Sequence, residues 1–291
     1  MWQIRKKAIL IVSIFTLSLI LAGCNEEKEG DKITINGKGS YSSITSAIEN
    51  ATDGDVITVP PGIYYEILTI NKSISLIGSG AEDTVIACKG EIEDNTPIVV
   101  IYADNVTIQG FKITSMESDV KTFGIIVHSK NDCIINNTIS QCTYGIYIEW
   151  GFGEADILHN NIFNNSYGIY IFMGGNDNRI FGNNISYNSQ GIRVKSRDNE
   201  IFDNLLFRNN IGIYMCCGSA NNIVYNNTFI QNDQHARDDK YTNLWNSNGT
   251  GNYWDDYNGT DEDGDGIGDT PYMIPGNGNR SDNYPLMKPP E

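Results

Sequence analysis

The chain has 291 residues, of which 40% are hydrophobic and 19% charged, with a formal net charge of −16. Its 42 Ile and 35 Asn exclude a disordered chain and a helical bundle, because Ile favours strands and Asn favours turns. The acidic balance argues against nucleic acid as a partner, since phosphate binding needs clustered Lys and Arg.

Arg5, Lys6 and Lys7 precede an apolar run over residues 8–21. The run is too short for a transmembrane span and reads as the h-region of an export signal. It ends in Leu21-Ala22-Gly23-Cys24, which resembles a prokaryotic lipobox. That resemblance implies a signal peptide over 1–23, lipidation of Cys24 and a polar tether over 24–32. The expected location is outside the cytoplasm, anchored to a membrane by lipid. Five other cysteines remain, Cys88, Cys133, Cys142, Cys216 and Cys217. The count is odd and no C-x-x-C occurs, so free thiols are expected.

Residues 43–51 carry Ile44, Ala47 and Ile48 on one helical face. This reads as a cap for the open end of a solenoid. Early strands follow in Asp53-Gly-Asp-Val-Ile-Thr-Val-Pro-Pro-Gly-Ile-Tyr and Ser73-Ile-Ser-Leu-Ile-Gly. From Ile134 onward a repeat takes over, with the template I-x-x-N-x-I-x-x-N-x-x-G-I-x-I. One copy is Ile157, Asn160, Ile162, Asn165, Gly168, Ile169 and Ile171; the next runs from Ile180 to Val194 and a third from Ile201 to Met215. The first copy, from Ile134, has Cys142 in place of its second Asn. A fraying fifth is read as Ile223, Asn226, Thr228 and Gln231. Length variation falls only after the G-I-x-I segment.

Three short strands per repeat cannot bury their apolar faces alone, so coils must stack. The pattern predicts an all-β parallel β-helix of about eight coils over 33–235 and a C-terminal cap over 236–291. The two Asn positions should form amide ladders, one of them running Asn137-Asn160-Asn183-Asn204-Asn226. A leucine-rich repeat would need a Leu pattern and a helical half, and a propeller would need antiparallel blades.

The early Asp53 stretch, the coils and the tail Gly251-Asn-Tyr-Trp-Asp-Asp-Tyr-Asn-Gly-Thr-Asp-Glu-Asp-Gly-Asp-Gly-Ile-Gly-Asp together resemble NosD-like right-handed parallel β-helix proteins. The resemblance covers nearly all of the chain after the signal. It implies an exported helix of the carbohydrate-binding and sugar-hydrolase type. The family's named member is a periplasmic accessory protein for copper delivery. Fold resemblance alone does not transfer function.

Two candidate sites stand out. Asp261, Asp263, Asp265 and Asp269 occupy positions 1, 3, 5 and 9 of a calcium-type loop, with Gly266 at the turn and the Ile267 carbonyl at position 7. A structural calcium is expected there. The usual Glu at position 12 is replaced by Tyr272. The second site is the outward face of the G-I-x-I strands, holding Tyr147, Tyr170, Arg193 and Tyr214 in one row and Glu149, Phe172 and Lys195 in the next. Rings beside charges suit a saccharide, and the competing reading is cross-strand stabilisation. The expected partner is envelope polysaccharide or a surface protein, bound without catalysis. A lyase or epimerase acting on uronate polymers is the alternative, and copper handling a second one. Copper is disfavoured, because Met173, Met215, Cys216, Cys217 and His128 show no ligand spacing and His159 and His235 stand isolated. Nine N-x-S/T sequons occur, of which Asn226 is expected to be buried in its ladder.

The acidity is uneven. From Asp233 onward there are twelve acids against four bases, but only eight against six from Gly124 to Gln231. A nearly neutral rod thus carries an acidic end.

Overall fold

The structure is a computed structural model that describes residues 32–90, 93–116 and 120–290. The export signal, Cys24 and most of the tether lie outside these residues. The chain coils through three sheets of ten, nine and eight strands, visiting each sheet once per turn. Ile134, Ile157, Ile180 and Ile201 align strand on strand in the first sheet. Ile139, Ile162, Ile185 and Leu206 do so in the second, and Ile146, Ile169, Ile192 and Ile213 in the third. All twelve are fully buried. The eight strands of the third sheet correspond to the expected eight coils. The last coil runs on past residue 235, through Gln234–Asp238 in the third sheet and Tyr253–Trp254 in the second.

The helix Ile44–Asn50 starts where Ser43 accepts a hydrogen bond from the Ser46 amide at 3.0 Å. The Glu66 carboxylate accepts the Ile44 and Thr45 amides at 2.9 and 2.8 Å, placing negative charge at the helix start. Ile44, Ala47 and Ile48 are buried, so the helix covers the first coils.

Buried amides stitch the coils together. In the first ladder, Nδ2 of Asn137, Asn160, Asn183 and Asn204 donates to Oδ1 of the next member at 2.9–3.2 Å. The second Nδ2 hydrogen meets a carbonyl, as from Asn160 to Ile134 at 2.8 Å. The same Oδ1 also accepts the backbone amide of the preceding member, as Asn183 does from Asn160 at 2.9 Å. Every ladder amide is thus paired, as a buried polar group requires. A second ladder joins Asn165, Asn188, Asn209 and Asn232.

The fifth copy corrects the sequence reading by one residue. Val224 pairs with Ile201 and Phe229 with Leu206, both fully buried. The ladder therefore continues through Asn227 to Asn252, not through Asn226. Asn226 takes a left-handed φ of 55° at the corner and donates to Asp203. A one-residue slip exchanges the two faces of a strand, so the alternative register would have buried Thr228 and expelled Phe229. A third ladder, Asn178-Asn199-Asn222-Asn243, has no place in the sequence template.

The template glycine has a steric cause. A Cβ on Gly124, Gly145, Gly168 or Gly191 would stand 2.5 Å from the carbonyl oxygen of the glycine in the next coil. At the far end, Phe229, Trp254 and Tyr272 stack in succession at 4.2 Å and plug the core. Trp254 is the tryptophan of the tail motif.

Asp132 holds the position that Asn occupies in the third ladder, two residues before the core Ile. It is buried and accepts from Ser129 and the Val106 amide. Burial pushes its carboxyl from the ordinary 3.8 up to about 6. The folded chain therefore holds this proton more tightly than the unfolded chain. The group's contribution is full below the unfolded value and is lost as pH rises through about 6. Asp132→Asn should donate to Ser129 as Asn199 does to Ser196. It is expected to stabilise the fold by about 1–3 kcal/mol at neutral pH and to flatten stability between about pH 4 and 6, read by urea unfolding across pH.

Candidate functional site on the outer face of the third sheet

Past the template glycine, alternation turns every second residue of the third sheet outward; at the glycine two successive residues are buried, so the residue before it faces out as well. Tyr147, Tyr170, Arg193, Tyr214 and Arg237 follow one another coil by coil. One row nearer the strand starts, Phe123, Tyr144 and Tyr167 stack with centroids 4.7 and 5.0 Å apart. Tyr147 and Tyr170 stack at 5.3 Å, and Phe172 lies 6.3 and 6.1 Å from them. Burial in this array pushes the Tyr147 hydroxyl up to about 12.

Cations lie on the rings. Lys195 Nζ is 5.5 Å from the Tyr170 centroid and 5.3 Å from that of Phe172. Arg193 sits 4.5 Å above Tyr214. Arg193 also donates to Gln190 at 3.0 Å and to Cys216 Sγ at 3.2 Å. Among the described residues, neither Lys195 nor Arg193 has a carboxylate partner. Glu149 turns away toward His128, whose Nδ1 lies 2.6 Å from its carboxylate. His128 stacks on Tyr102 at 4.9 Å. Tyr214 donates to Asp239 at 2.9 Å.

The structure thus gathers Tyr147, Tyr170, Phe172 and Lys195 into one continuous patch, with Arg193 and Tyr214 beside it and Glu149 at its edge. Sequence reasoning misses Tyr102, Phe123, Tyr144 and Tyr167. Three of them carry a findable signal, because an aromatic precedes the glycine at Phe123, Tyr144 and Tyr167. Exposed Trp150 lies in the loop that follows Glu149. A separate open groove of about 600 Å³ lies at the corner lined by Ser115, Gln141, Thr143, Asn164, Ser166 and Tyr187.

The calcium-type loop is partly assembled. One oxygen each from Asp261, Asp263 and Asp265 lies within 4.8 Å of the others. Gly264 and Gly266 take left-handed φ values of 76° and 88°, which the tight turn requires. Asp269 instead accepts the Glu262 amide at 2.8 Å, and the Ile267 amide donates to Asp265 at 2.8 Å. Ile267 bridges Leu286, tying the loop to the tail.

His235, read as isolated, is buried against the tail motif. Its Nε2 lies 2.8 Å from Asp255 and 3.3 Å from Asp256. The second ladder fixes its tautomer. Asn232 Oδ1 accepts from Asn209, so its Nδ2 faces His235 Nδ1 at 3.2 Å as a donor. Nδ1 must then accept and Nε2 carries the hydrogen toward Asp255. Through that hydrogen the ring ties the last third-sheet strand to the tail motif.

Of the soft donors, the Cys216 and Cys217 sulfurs are in contact, and Met173 packs beside the neighbouring Gly218. Met215 is buried in the core and His128 lies four coils from Cys216. Arg193, a cation, occupies the near side of the Cys216 sulfur. Among the described residues no third His, Cys, Asp or Glu joins Cys216 and Cys217.

Coil geometry and outer face define a parallel β-helix whose third sheet presents an aromatic and cationic side. The family model described as periplasmic copper-binding protein (NosD) matches residues 48–259, and the chain belongs to that family. A cell surface glycoprotein of Methanothermus fervidus is 30% identical over 141 residues, covering 47% of this chain and 21% of its own length. The chain thus spans about a fifth of that relative. Among solved structures, XylC in complex with xylose superposes with a TM-score of 0.54 at 11% identity, covering 74% of this chain and 64% of that one. A pectin methylesterase from Yersinia enterocolitica gives 0.43 at 13% identity, covering 71% and 81%. The XylC likeness shows the fold alone. Both the family description and the glycoprotein name agree with an exported surface β-helix protein.

Tyr170 is only 8% exposed, so its ring is part of the packing of the outer face. Tyr170→Ala is expected to lower unfolding free energy by about 2–4 kcal/mol, and Tyr147→Ala by less, in denaturant titrations.

Proposed function

We propose that the protein is a lipid-anchored surface β-helix that binds carboxylate-bearing envelope polysaccharide along the outer face of its third sheet, without turning it over. The observation that carries this reading is the way Lys195 and Arg193 are held. Rings, not acids, position these cations, so their charge remains available to an anion. The rod around them is nearly neutral, which leaves the patch as a local positive feature. The half-buried rings of Tyr147 and Phe172 supply apolar surface for sugar rings. Lys195→Ala is expected to weaken retention on an acidic-polysaccharide column at least tenfold, with unchanged melting. Equal retention of Lys195→Ala and wild type would overturn the reading.

A uronate lyase or epimerase is the second reading, and the His128–Glu149 pair favours it. A carboxylate on Nδ1 orients an imidazole as a base. Product formed from uronate polymers in the same experiment, and lost in His128→Gln, would replace binding by catalysis.

The acidic loop is proposed to hold a structural Ca²⁺ through Asp261, Asp263 and Asp265, with the Ile267 carbonyl and Asp269 completing the shell. EDTA should lower the melting temperature by several degrees, and Asp263→Ala should abolish that response. Identical melting with and without EDTA would exclude the ion.

A further inference from the structure

The third-sheet strand Ile211–Met215 ends just before two adjacent cysteines. On a regular strand Cys216 and Cys217 would point to opposite faces. They do not, because Cys217 leaves the strand with a left-handed φ of 61°. The turn brings the two sulfurs to 2.8 Å. That is less than 1 Å beyond a covalent S–S bond. Cys216 is buried and Cys217 exposed. Cys88 and Cys142 are buried, each far along the rod from this pair, and Cys133 is half-buried in the first sheet. Only Cys216 and Cys217 approach each other in this way among the described residues.

We infer that Cys216 and Cys217 are a modification site and close into a vicinal disulfide when the exported chain meets an external disulfide. The exposed Cys217 sulfur, as thiolate, attacks one sulfur of the oxidant and releases one thiol. The Cys216 sulfur then displaces the second thiol from the mixed disulfide, as its proton passes to the leaving sulfur. Two protein thiols become one S–S bond, and one external disulfide becomes two thiols. Disulfides persist on cell surfaces and in the periplasm, the compartment in the family's description.

The bond would be a labile one. Adjacent Cα atoms are held about 3.8 Å apart, below the usual span across a disulfide. Such bonds are readily reduced and belong to the exchangeable class. Burial pushes the Cys216 thiol up to about 11, in keeping with Cys217 as the first sulfur to react. In the dithiol form the Cys216 sulfur accepts from Arg193 Nη2 at 3.2 Å. Closure would thus turn a thiol acceptor of this cation into a disulfide sulfur.

The full chain, produced by export and treated with iodoacetamide before any reductant, tests this directly. Trypsin cleaves after Arg208 and Arg237, and the peptide 209–237 carries both cysteines and no other. The expected peptide is two hydrogens lighter than the dithiol, unlabelled before reduction and doubly labelled after it. Cys216→Ser should leave one labelled thiol, at Cys217, in the folded protein. A doubly labelled peptide before reduction, even after incubation of the folded protein with oxidised glutathione, would overturn the inference. So would a cross-link from either cysteine to another peptide. The measurement does not depend on what the outer face binds.

Discussion

One hydrogen bond governs this molecule: the donation from a buried Asn side chain to the Asn one coil further on. Backbone pairing between parallel strands sets coil spacing, but it does not fix where the corners turn. The ladder amide does, because its oxygen also takes the backbone N–H of the preceding corner and its second hydrogen takes a carbonyl. A corner that moved by one residue would leave three buried polar groups unpaired, each worth about 1–3 kcal/mol. The strict template spacing from Ile157 to Ile171, and again from Ile180 to Val194, follows from that requirement. Within the four full copies length varies only after the third strand, where the loops carry Trp150, Met173 and Cys217 outward; the coil before them also widens the corner between Ser115 and Thr122.

The same constraint explains which parts of the fold were readable from sequence. Ile, Asn and Gly at fixed spacing each answer one physical demand: core contact, corner hydrogen bonds, and close approach of a neighbouring carbonyl. Chemistry changes at the fifth copy, where Val224 and Phe229 take the core positions and Ile223 lies one residue away. Matching by identity then chooses the wrong register; matching by burial chooses Val224 and restores Asn227 and Asn232 to their ladders. The third ladder lies in the variable loops, so no constant distance from the preceding strand announces it. Its signal is an Asn two residues before Ile180, Ile201 and Val224.

The outer face was legible as a set of positions but not as a surface. Alternation tells which side chains after the glycine point out, though not that Tyr144 and Tyr167 before it join them, and in-register stacking tells that they are neighbours. What alternation cannot show is how far rings cover one another. Tyr170 lies among Tyr147, Tyr167 and Phe172 and is nearly enclosed, while Lys195 is laid across it. Stabilisation by stacking and presentation of cations are therefore one arrangement, not rival readings of it. His235 was unreadable for a different reason. Its partners Asp255 and Asp256 come from the tail, and its tautomer is dictated by a ladder whose register had to be right first.

All three ladders point their donors toward the C-terminal end, and each ends on an acceptor that is not another coil. Asn252 donates to Asp282, Asn243 to Asp238 and Asn232 to the His235 ring. Trp254 and Trp245 add their indole N–H groups to the same two carboxylates. An uncapped last coil would be a template, with exposed strand edges and three unused N–H groups inviting the first coil of another molecule. Here those donors are consumed and the core is shut by stacked rings, while a helix covers the opposite end. Rod length is therefore written in the gene and not set by concentration: the molecule has the architecture of a fibre and the stops that keep it from becoming one.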